Sequence, residues 1–360
     1  MRKTIIPTAY LLALSFLCVS CELIPDAISG ATKTMAMDGN SLFHQTAEIS
    51  LERGTLMIEG EVKNPGEINL DEFYKREVMV KESLYDPATG INFIGAYRYR
   101  GYSLFDLLHP NNHDKKNAER FRPAIDLYLI IENAAGENVA FSWSEIFHTN
   151  IPHQVIIATE MAPIVPYRKE VDYPVSKSWK VVCGNDLFAY RMLENPVKIT
   201  VRSFDKKEYA IEKGMEPMFS QNVNVIFENG PSLFIDQNYD STGWITYYSS
   251  FYGMGMGYHE AKHFRGPALF DLVKSSVNLF DPEWIAHGLV CFAGLDGYRA
   301  IFSFSELFNR TDQTNPILSV PDNPEDGGFY RIFSPGEFYA DRSVKSLSEI
   351  YFYKDTPQVK

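Results

Sequence analysis

A segment that occurs twice constrains the fold of this chain more than any other feature. Residues 100–108 read RGYSLFDLL and residues 265–273 read RGPALFDLV, so six residues recur in the same order at an offset of 165. A second pair, FSWSEIF at 141–147 and FSFSELF at 302–308, follows at an offset of 161. At an offset of 151, Lys180, Ala189, Arg191 and Ile199 correspond to Arg331, Ala340, Arg342 and Ile350. Three blocks in one order predict two copies of a whole domain, because this period is far too long for a solenoid repeat.

Length and composition agree with two folded domains. A chain of 360 residues is long enough for about two domains. Its hydrophobic content of 45%, with 14% aromatic residues, is sufficient for packed cores. The net charge of −12 argues against a nucleic-acid partner, because the neutralisation of phosphates needs a basic face.

The first 21 residues are predicted to be an export signal and not part of the fold. Arg2 and Lys3 precede an apolar stretch, 5–19, that is too short for a good membrane-spanning helix. The stretch ends in LCVSC at 17–21, and a small residue directly before a cysteine resembles the bacterial lipobox. This resemblance implies cleavage before Cys21, acylation of Cys21, and a lipid-anchored protein in the cell envelope, either periplasmic or on the outer surface. An ordinary secretory signal with another cleavage site is the alternative.

The rest of the chain is predicted to contain a tether, two domains and a linker. Residues 22–50 show no clear period and are typical of a tether. The first domain covers 51–201, a charged linker covers 202–218, and the second domain covers 219–355.

Two cysteines remain in the predicted domains once the signal is removed. Cys183 and Cys291 could form a disulfide in an oxidising compartment, or they could stay as buried free thiols. They occupy non-equivalent positions in the two repeats, so the duplication does not favour a bond between them.

Short strands separated by turns, with only brief helices, predict an α+β fold with a mostly antiparallel sheet in each copy. Each copy contains a predicted hairpin that leads directly into a helix-capping box, Ser142–Glu145 in the first and Ser303–Glu306 in the second. In such a box the serine oxygen accepts a backbone N–H of the first helical turn, and the glutamate accepts the N–H of the serine. The pattern assigns Glu145 and Glu306 a structural role and not a catalytic one.

Residues 259–263, HEAKH, match the H-E-x-x-H pattern of zinc proteases. That site needs both histidines on one face of a helix. Gly253, Gly255 and Gly257 precede the motif, and glycine at this density disfavours a helix. We therefore predict an extended segment or a loop and no zinc protease. The two histidines could still bind a metal or line a pocket, next to a Met/Gly/Tyr-rich stretch at 252–258 that is typical of a loop.

The last block of the chain resembles the end of the molybdopterin-binding oxidoreductase domain shared by sulfite oxidases and their bacterial relatives. The similarity consists of an Arg-led apolar strand at 331–333, a Pro-Gly turn at 335–336, the Ser-Val-Lys of 343–345, and a final strand around 350. The hairpin at 296–298 and the Gly-x-x-Leu-x-x-Leu segment at 266–272 are similar to further parts of that domain. The resemblance implies two copies of a β-rich sulfite-oxidase-type domain, the first of them more diverged.

The resemblance also implies a site for the phosphate of molybdopterin beside this closing block. The basic and hydroxyl residues at matching positions are Arg331, Arg342, Ser343, Lys345 and, in the first repeat, Arg191. Guanidinium groups and lysine can hold a phosphate through charge-assisted hydrogen bonds. Solvated surface charges are the alternative interpretation of the same residues.

The chain departs from the family at the metal ligand. In sulfite oxidases a cysteine thiolate shortly before the Gly-x-x-Leu-x-x-Leu helix binds molybdenum. Neither 79–100 nor 243–265 contains a cysteine. The sequence therefore favours a binding or interaction module whose partner is a phosphorylated small molecule or a protein. A molybdopterin-dependent oxidoreductase of the sulfite oxidase type is the alternative.

Overall fold

The computed structural model describes residues 43–44, 46–236, 241–323 and 328–355, which all fall within one compact unit. The predicted signal, with Cys18 and Cys21, and most of the predicted tether lie outside these residues. The described chain is mostly β-sheet with short helices, so the β-rich architecture predicted from the sequence is confirmed.

The first half of the described chain contains twelve strands and two short α-helices. In chain order they are β1 (Phe43–His44), β2 (Ile49–Ser50), β3 (Met57–Gly60), β4 (Gly66–Glu67), β5 (Arg76–Asp86), β6 (Gly90–Ser103), α1 (Leu104–Leu108), β7 (Leu127–Asn133), β8 (Asn138–Ser142), α2 (Trp143–Phe147), β9 (Val155–Pro163), β10 (Val165–Pro166), β11 (Lys180–Cys183) and β12 (Pro196–Ser203). Single 3₁₀ turns lie at Leu70–Glu72, Ala124–Asp126 and Ala189–Arg191.

The second half repeats most of this order. Its elements are β13 (Val223–Phe227), β14 (Ser232–Ile235), β15 (Ile245–Gly253), β16 (Gly257–Gly266), α3 (Leu269–Val273), α4 (Pro282–His287), β17 (Gly288–Gly294), β18 (Arg299–Ser303), α5 (Phe304–Phe308), β19 (Ile317–Ser319), β20 (Arg331–Phe333) and β21 (Leu347–Lys354). A 3₁₀ turn at Ala340–Arg342 corresponds to the one at Ala189–Arg191.

One five-stranded sheet in each half is built in the same way. The strand orders are β4-β3-β12-β7-β8 and β14-β13-β21-β17-β18. In both sheets the last strand of the half lies in the centre, parallel to the first long strand and antiparallel to the hairpin that precedes the capping box. The sheets are therefore mixed, although most strand pairs are antiparallel.

The two halves differ in their second sheet. In the first half, β5 and β6 belong to a sheet of order β11-β9-β6-β5, with β2 also paired to β9. In the second half, β15 and β16 form a two-stranded ribbon and β19 pairs with β20. Backbone bonds from Leu318 to Pro267 at 3.1 Å and from Val320 to Arg265 at 2.9 Å join these two pairs at the base of the ribbon. The far end of the β15–β16 ribbon consequently has no neighbouring strand in the described chain.

The glycine of the repeated Arg-Gly segment is required by close packing. A side chain at Gly101 would place its Cβ 2.0 Å from the carbonyl oxygen of Ile157, and one at Gly266 would place it 1.9 Å from that of Leu318. Only glycine fits where β6 and β16 pass this close to the neighbouring backbone. The motif thus sets the approach of each strand to its neighbour immediately before α1 and α3.

The two halves share part of their hydrophobic core. Besides one large cluster centred in each half, a third cluster joins side chains from both: Tyr128, Ile130, Ala140, Phe204, Leu289, Cys291, Ile301 and Tyr353. The segment predicted as a linker begins inside β12 and stays attached to the second half, where the hydroxyl of Tyr209 donates to Glu349 at 2.5 Å.

Candidate functional site

Both predicted capping boxes are confirmed at the starts of α2 and α5. The Ser142 hydroxyl oxygen accepts from the backbone N–H of Glu145 at 2.9 Å, and the Glu145 carboxylate accepts from the N–H of Ser142 at 2.7 Å. Ser303 and Glu306 repeat these bonds at 3.1 and 2.7 Å. The two glutamates therefore have the structural role that the sequence predicts.

Each capping glutamate also pairs with a buried arginine. Arg191, with a side chain 2% exposed, donates to Asp186 at 2.7 and 2.8 Å and to Glu145 at 3.0 Å. Arg342, with a side chain 1% exposed, pairs in the same way with Glu306 at 2.7 Å and with Glu337. The two guanidinium groups are thus neutralised by carboxylates of their own half.

The two ion-pair clusters are joined across the contact between the halves. Arg191 donates to the hydroxyl of Ser303 at 3.2 Å, and Arg342 donates to the hydroxyl of Ser142 at 3.1 Å. The Ser142 hydroxyl in turn donates to Glu306 at 2.6 Å. We call this set the crossed network; its members are Ser142, Glu145, Asp186, Arg191, Ser303, Glu306, Glu337 and Arg342.

The crossed network changes the interpretation of two predicted phosphate ligands. Arg191 and Arg342 are buried, and two carboxylates already bind each guanidinium group. A phosphate would have to displace these carboxylates into a desolvated interior, which is unfavourable. The two residues hold the halves together and do not present a surface to an anion.

A separate cleft in the second half brings together two of the other predicted ligands. Ser343 and Lys345 both line this cleft, which we call the hairpin cleft and which has a volume of about 330 Å³. It lies between the tip of the β15–β16 ribbon, the turn after β17 and the segment after the last 3₁₀ turn. The backbone N–H of Met254 donates to the Asp341 carboxylate at 2.7 Å. The Tyr298 hydroxyl donates to the backbone carbonyl of Asp341 at 2.9 Å. Asp341 therefore fixes the ribbon tip beside the cleft.

The hairpin cleft combines apolar walls with a few polar groups. Its apolar lining includes Phe251, Met256 and Tyr298. Lys345 is exposed and has no ion-pair partner among the residues that the structure describes. The hydroxyl of Ser343 donates to the carbonyl of Ile332 at 2.8 Å and keeps its lone pairs available to accept. Burial raises the pKa of Tyr298, so this phenol stays protonated at neutral pH.

Arg331 does not line the hairpin cleft. It lies in β20, its guanidinium carbon is 5.3 Å from the centroid of the Phe251 ring, and it borders a neighbouring cavity of about 230 Å³. The five predicted cofactor-binding residues are therefore divided among the crossed network, the hairpin cleft and this neighbouring cavity.

The H-E-x-x-H residues form part of the strand β16, as the surrounding glycines predict, and not a helix. Four residues along a strand separate His259 from His263 by roughly 13 Å. His259 lines the hairpin cleft, whereas His263 lies 3.3 Å from Asp322. Within the described ranges, no group of three or more His, Cys, Asp or Glu side chains is arranged to hold a metal ion.

The residues present do not fit a molybdenum centre of the sulfite oxidase type. The segments that lead into α1 and α3 contain no cysteine. Cys183 and Cys291 are free and almost completely inaccessible, at 1% and 0% exposure. Burial raises the pKa of both thiols, so neither presents a thiolate to a ligand.

The position equivalent to the hairpin cleft in the first half is filled by aromatic side chains. The N–H of Tyr85 donates to the hydroxyl of Tyr190, which corresponds to Asp341, at 3.1 Å. Tyr85 stacks on Phe280 of the second half with ring centroids 4.6 Å apart. Phe188 beside them is 2% exposed. The two halves thus differ at this position, which is open only in the second.

Sequence reasoning did not identify Asp186 and Glu337 as partners of the arginines. A signal was available, because each carboxylate precedes its arginine by five residues in both repeats. Asp341 had no such signal, since the first repeat carries Tyr190 at that position.

No helix among the described residues has the length and apolar composition needed to cross a membrane. No protein-family model and no curated protein matches this sequence.

Proposed function

We propose that this chain is an exported, lipid-anchored binding protein that contains two copies of a sulfite-oxidase-like domain and binds a small organic ligand in the hairpin cleft. The observation that carries the proposal is that Ser343 and Lys345, selected from the sequence as phosphate ligands, line one open cleft. The matching strand order of the two five-stranded sheets supports the two copies. The absence of a cysteine before α1 and α3 supports binding over molybdenum chemistry.

The lining of the hairpin cleft favours a flat ligand with one anionic group. Phe251, Met256 and Tyr298 offer apolar and aromatic surface for a ring system. The ammonium group of Lys345 can donate three charge-assisted hydrogen bonds to a phosphate. Asp296 and Asp341 also line the cleft, and their carboxylates can accept N–H groups of a heterocycle. A volume of about 330 Å³ is at the small end of the range for ligand pockets.

A matched pair of fluorescent ligands tests this proposal. Flavin mononucleotide and riboflavin share a ring system, and only the former carries a phosphate. We expect saturable binding of flavin mononucleotide to the purified mature protein, at least about tenfold tighter than that of riboflavin, because a hydrogen bond to a charged group contributes about 1.5–3 kcal/mol. Fluorescence titration measures both affinities.

Lysine variants locate the binding site. Lys345→Ala should remove the preference for the phosphorylated ligand, whereas Lys274→Ala, in an exposed pair with Asp271 at 2.6 Å, should leave it intact. The proposal would be contradicted if the Lys345→Ala variant and the wild type bound flavin mononucleotide with equal affinity. It would also be contradicted if the wild type bound neither flavin saturably.

Elemental analysis distinguishes the molybdopterin-dependent oxidoreductase from the proposed binding protein. We expect protein purified from a molybdate-replete host that makes the cofactor to contain no molybdenum, because no accessible thiolate is available as a ligand. About one molybdenum per chain would overturn the binding proposal and restore the oxidoreductase.

A further inference from the structure

The crossed network contains more acidic than basic groups. Four carboxylates, those of Glu145, Asp186, Glu306 and Glu337, face the two guanidinium groups of Arg191 and Arg342. Two negative charges therefore lack a compensating cation inside the network. An uncompensated charge in a desolvated interior is costly and is usually avoided by proton uptake.

The groups that pack around the network do not supply the missing positive charge. The titratable neighbours are Arg310, Asp312, His148, His113 and Cys183. Arg310 is already paired with Asp312 at 2.8 Å. Burial lowers the pKa of His148 to about 3, and burial also lowers the pKa of His113. His148 is therefore neutral at physiological pH, and so is Cys183, whose pKa is raised by burial.

The network lies beside the backbone hydrogen bonds that join the two halves. Leu187 N–H donates to the carbonyl of Asn309 at 2.8 Å, and Phe338 N–H donates to that of His148 at 2.9 Å. These two bonds occupy equivalent positions in the repeats. A second equivalent pair joins Asn150 N–H to Gly336 at 3.2 Å and Thr311 N–H to Asn185 at 2.9 Å.

The second pair of bonds borders a cavity between the halves. Its volume is about 390 Å³, and its lining includes Asn150, Asn185 and Gly336 together with Glu145 and Glu337 of the crossed network. Both the charges and the backbone bonds of this contact therefore lie next to the same cavity.

We propose that the contact between the halves is a proton-operated latch, closed while the crossed network holds two protons and loosened when it releases them to the solvent. Each release converts one carboxylic acid into a carboxylate and adds one buried negative charge. Repulsion among the four carboxylates then acts on the segments that carry the backbone bonds, because Asp186 directly precedes Leu187 and Glu337 directly precedes Phe338. The pKa values agree with this geometry, since burial raises those of Glu145 and Glu337 to about 7.

Infrared difference spectroscopy on the mature chain tests the proton content directly. The spectrum recorded at about pH 5.5 should contain the C=O stretching band of protonated carboxyl groups, and this band should be lost by about pH 8.5. The Glu145→Gln, Glu337→Gln double variant should lack this part of the band. Glutamine can still close the capping box, so the helix start of α2 is retained. A wild-type spectrum without a buried carboxyl band at either pH would overturn the proposal.

Amide hydrogen exchange tests the movement. Corrected for the intrinsic pH dependence of exchange, the amides of Leu187 and Phe338 should lose protection about tenfold or more between the same two pH values, because their bonds break when the latch loosens. The central amide of Ile350 in β21 should change little. Protection of Leu187 and Phe338 that is equal at both pH values would contradict the latch.

Single variants keep this test informative. Glu145→Gln and Glu337→Gln should each reduce the pH dependence of the exchange protection at the amides of Leu187 and Phe338. Glu260→Gln, at an exposed carboxylate in β16, should behave like the wild type.

Discussion

At the scale of single residues, the arginines of the closing blocks are structural. Each guanidinium group lies over a phenylalanine ring, Arg191 at 4.3 Å from the Phe141 centroid and Arg342 at 3.8 Å from that of Phe302. The ring, the carboxylates and the opposite serine together satisfy a charge that could not otherwise be buried. This explains why both arginines recur at the same place in the repeats.

Removal of one arginine should destabilise the whole unit. We expect Arg342→Met to lower the free energy of unfolding by about 3–5 kcal/mol, because the buried carboxylates of Glu306 and Glu337 lose their partner. Urea denaturation followed by circular dichroism measures the change. Arg53→Met, at an exposed pair with Asp71, is the control and should shift stability by less than about 1 kcal/mol. Similar effects of the two substitutions would contradict the structural role.

The capping boxes could be predicted from sequence because all their bonds lie within four residues. The serine of the opposite half that each arginine contacts could not be predicted in the same way. The bond from Arg342 to Ser142 spans 200 residues, and its formation depends on how the two halves pack. The resemblance to molybdopterin proteins indicated basic residues near one another, but only the packing shows which of them face carboxylates and which face the hairpin cleft.

At the scale of elements, the two central hairpins have the same turn but different surroundings. Gly136 and Gly297 occupy equivalent positions with φ of 86° and 78°. A Cβ at Gly136 would meet nothing within 4 Å, whereas one at Gly297 would lie 2.1 Å from the carbonyl oxygen of Ala210. Both turns require the left-handed conformation, but only the second is covered by the segment that follows β12.

This difference gives a matched pair of substitutions. Gly136→Ala should cost about 1–2 kcal/mol, the strain of a left-handed residue with a side chain. Gly297→Ala should cost clearly more, because the backbone at Ala210 must also move. Thermal and urea denaturation of the two variants measures both costs. An equal loss of stability would mean that the contact with Ala210 contributes nothing.

The sequence predicted the types of these elements better than their arrangement. The Asp-Gly turn and the alternating residues at 298–304 indicate a hairpin through local conformational preferences. The ribbon of β15 and β16 could not be distinguished from its counterpart in the first half, because pairing with β9 depends on residues about 60 positions away.

At the scale of the whole molecule, stability should depend on pH near neutrality. The pKa values of Glu145 and Glu337 are about 7 in the folded protein, above the usual value near 4.5. The folded state therefore binds more protons than the unfolded state between these values, and stability falls as pH rises. We expect a loss of about 2–5 kcal/mol between about pH 5 and about pH 8, summed over the two groups. Urea denaturation across this range measures it.

The double Gln variant of these two positions is the control for the pH dependence. Its stability should be nearly constant over the same range, because the two titrating groups are removed. A wild-type protein that becomes more stable toward pH 8 would show that the network binds no extra protons.

The proposed lipid anchor also belongs to this scale. Cys21 follows a small residue at the end of a short apolar stretch, so acylation there should hold the protein in the membrane fraction. Cys21→Ser should release it into the soluble fraction, as measured by fractionation and immunoblotting. Cys18→Ser is the matched control and should leave the protein in the membrane fraction. Unchanged membrane association of the Cys21→Ser variant would refute the anchor.

The third hydrophobic cluster has a consequence for any attempt to divide the protein. Tyr128 and Ile130 from one half pack with Leu289 and Ile301 from the other. Cleavage of the chain in the exposed loop at Gly214 would therefore give two fragments that each expose a hydrophobic surface to water. Neither fragment should remain monomeric and folded when made alone. When the two fragments are co-expressed in one cell, they should associate into a folded heterodimer, as the fragments of a split reporter protein do. The shared cluster therefore makes the folding of each half depend on the other.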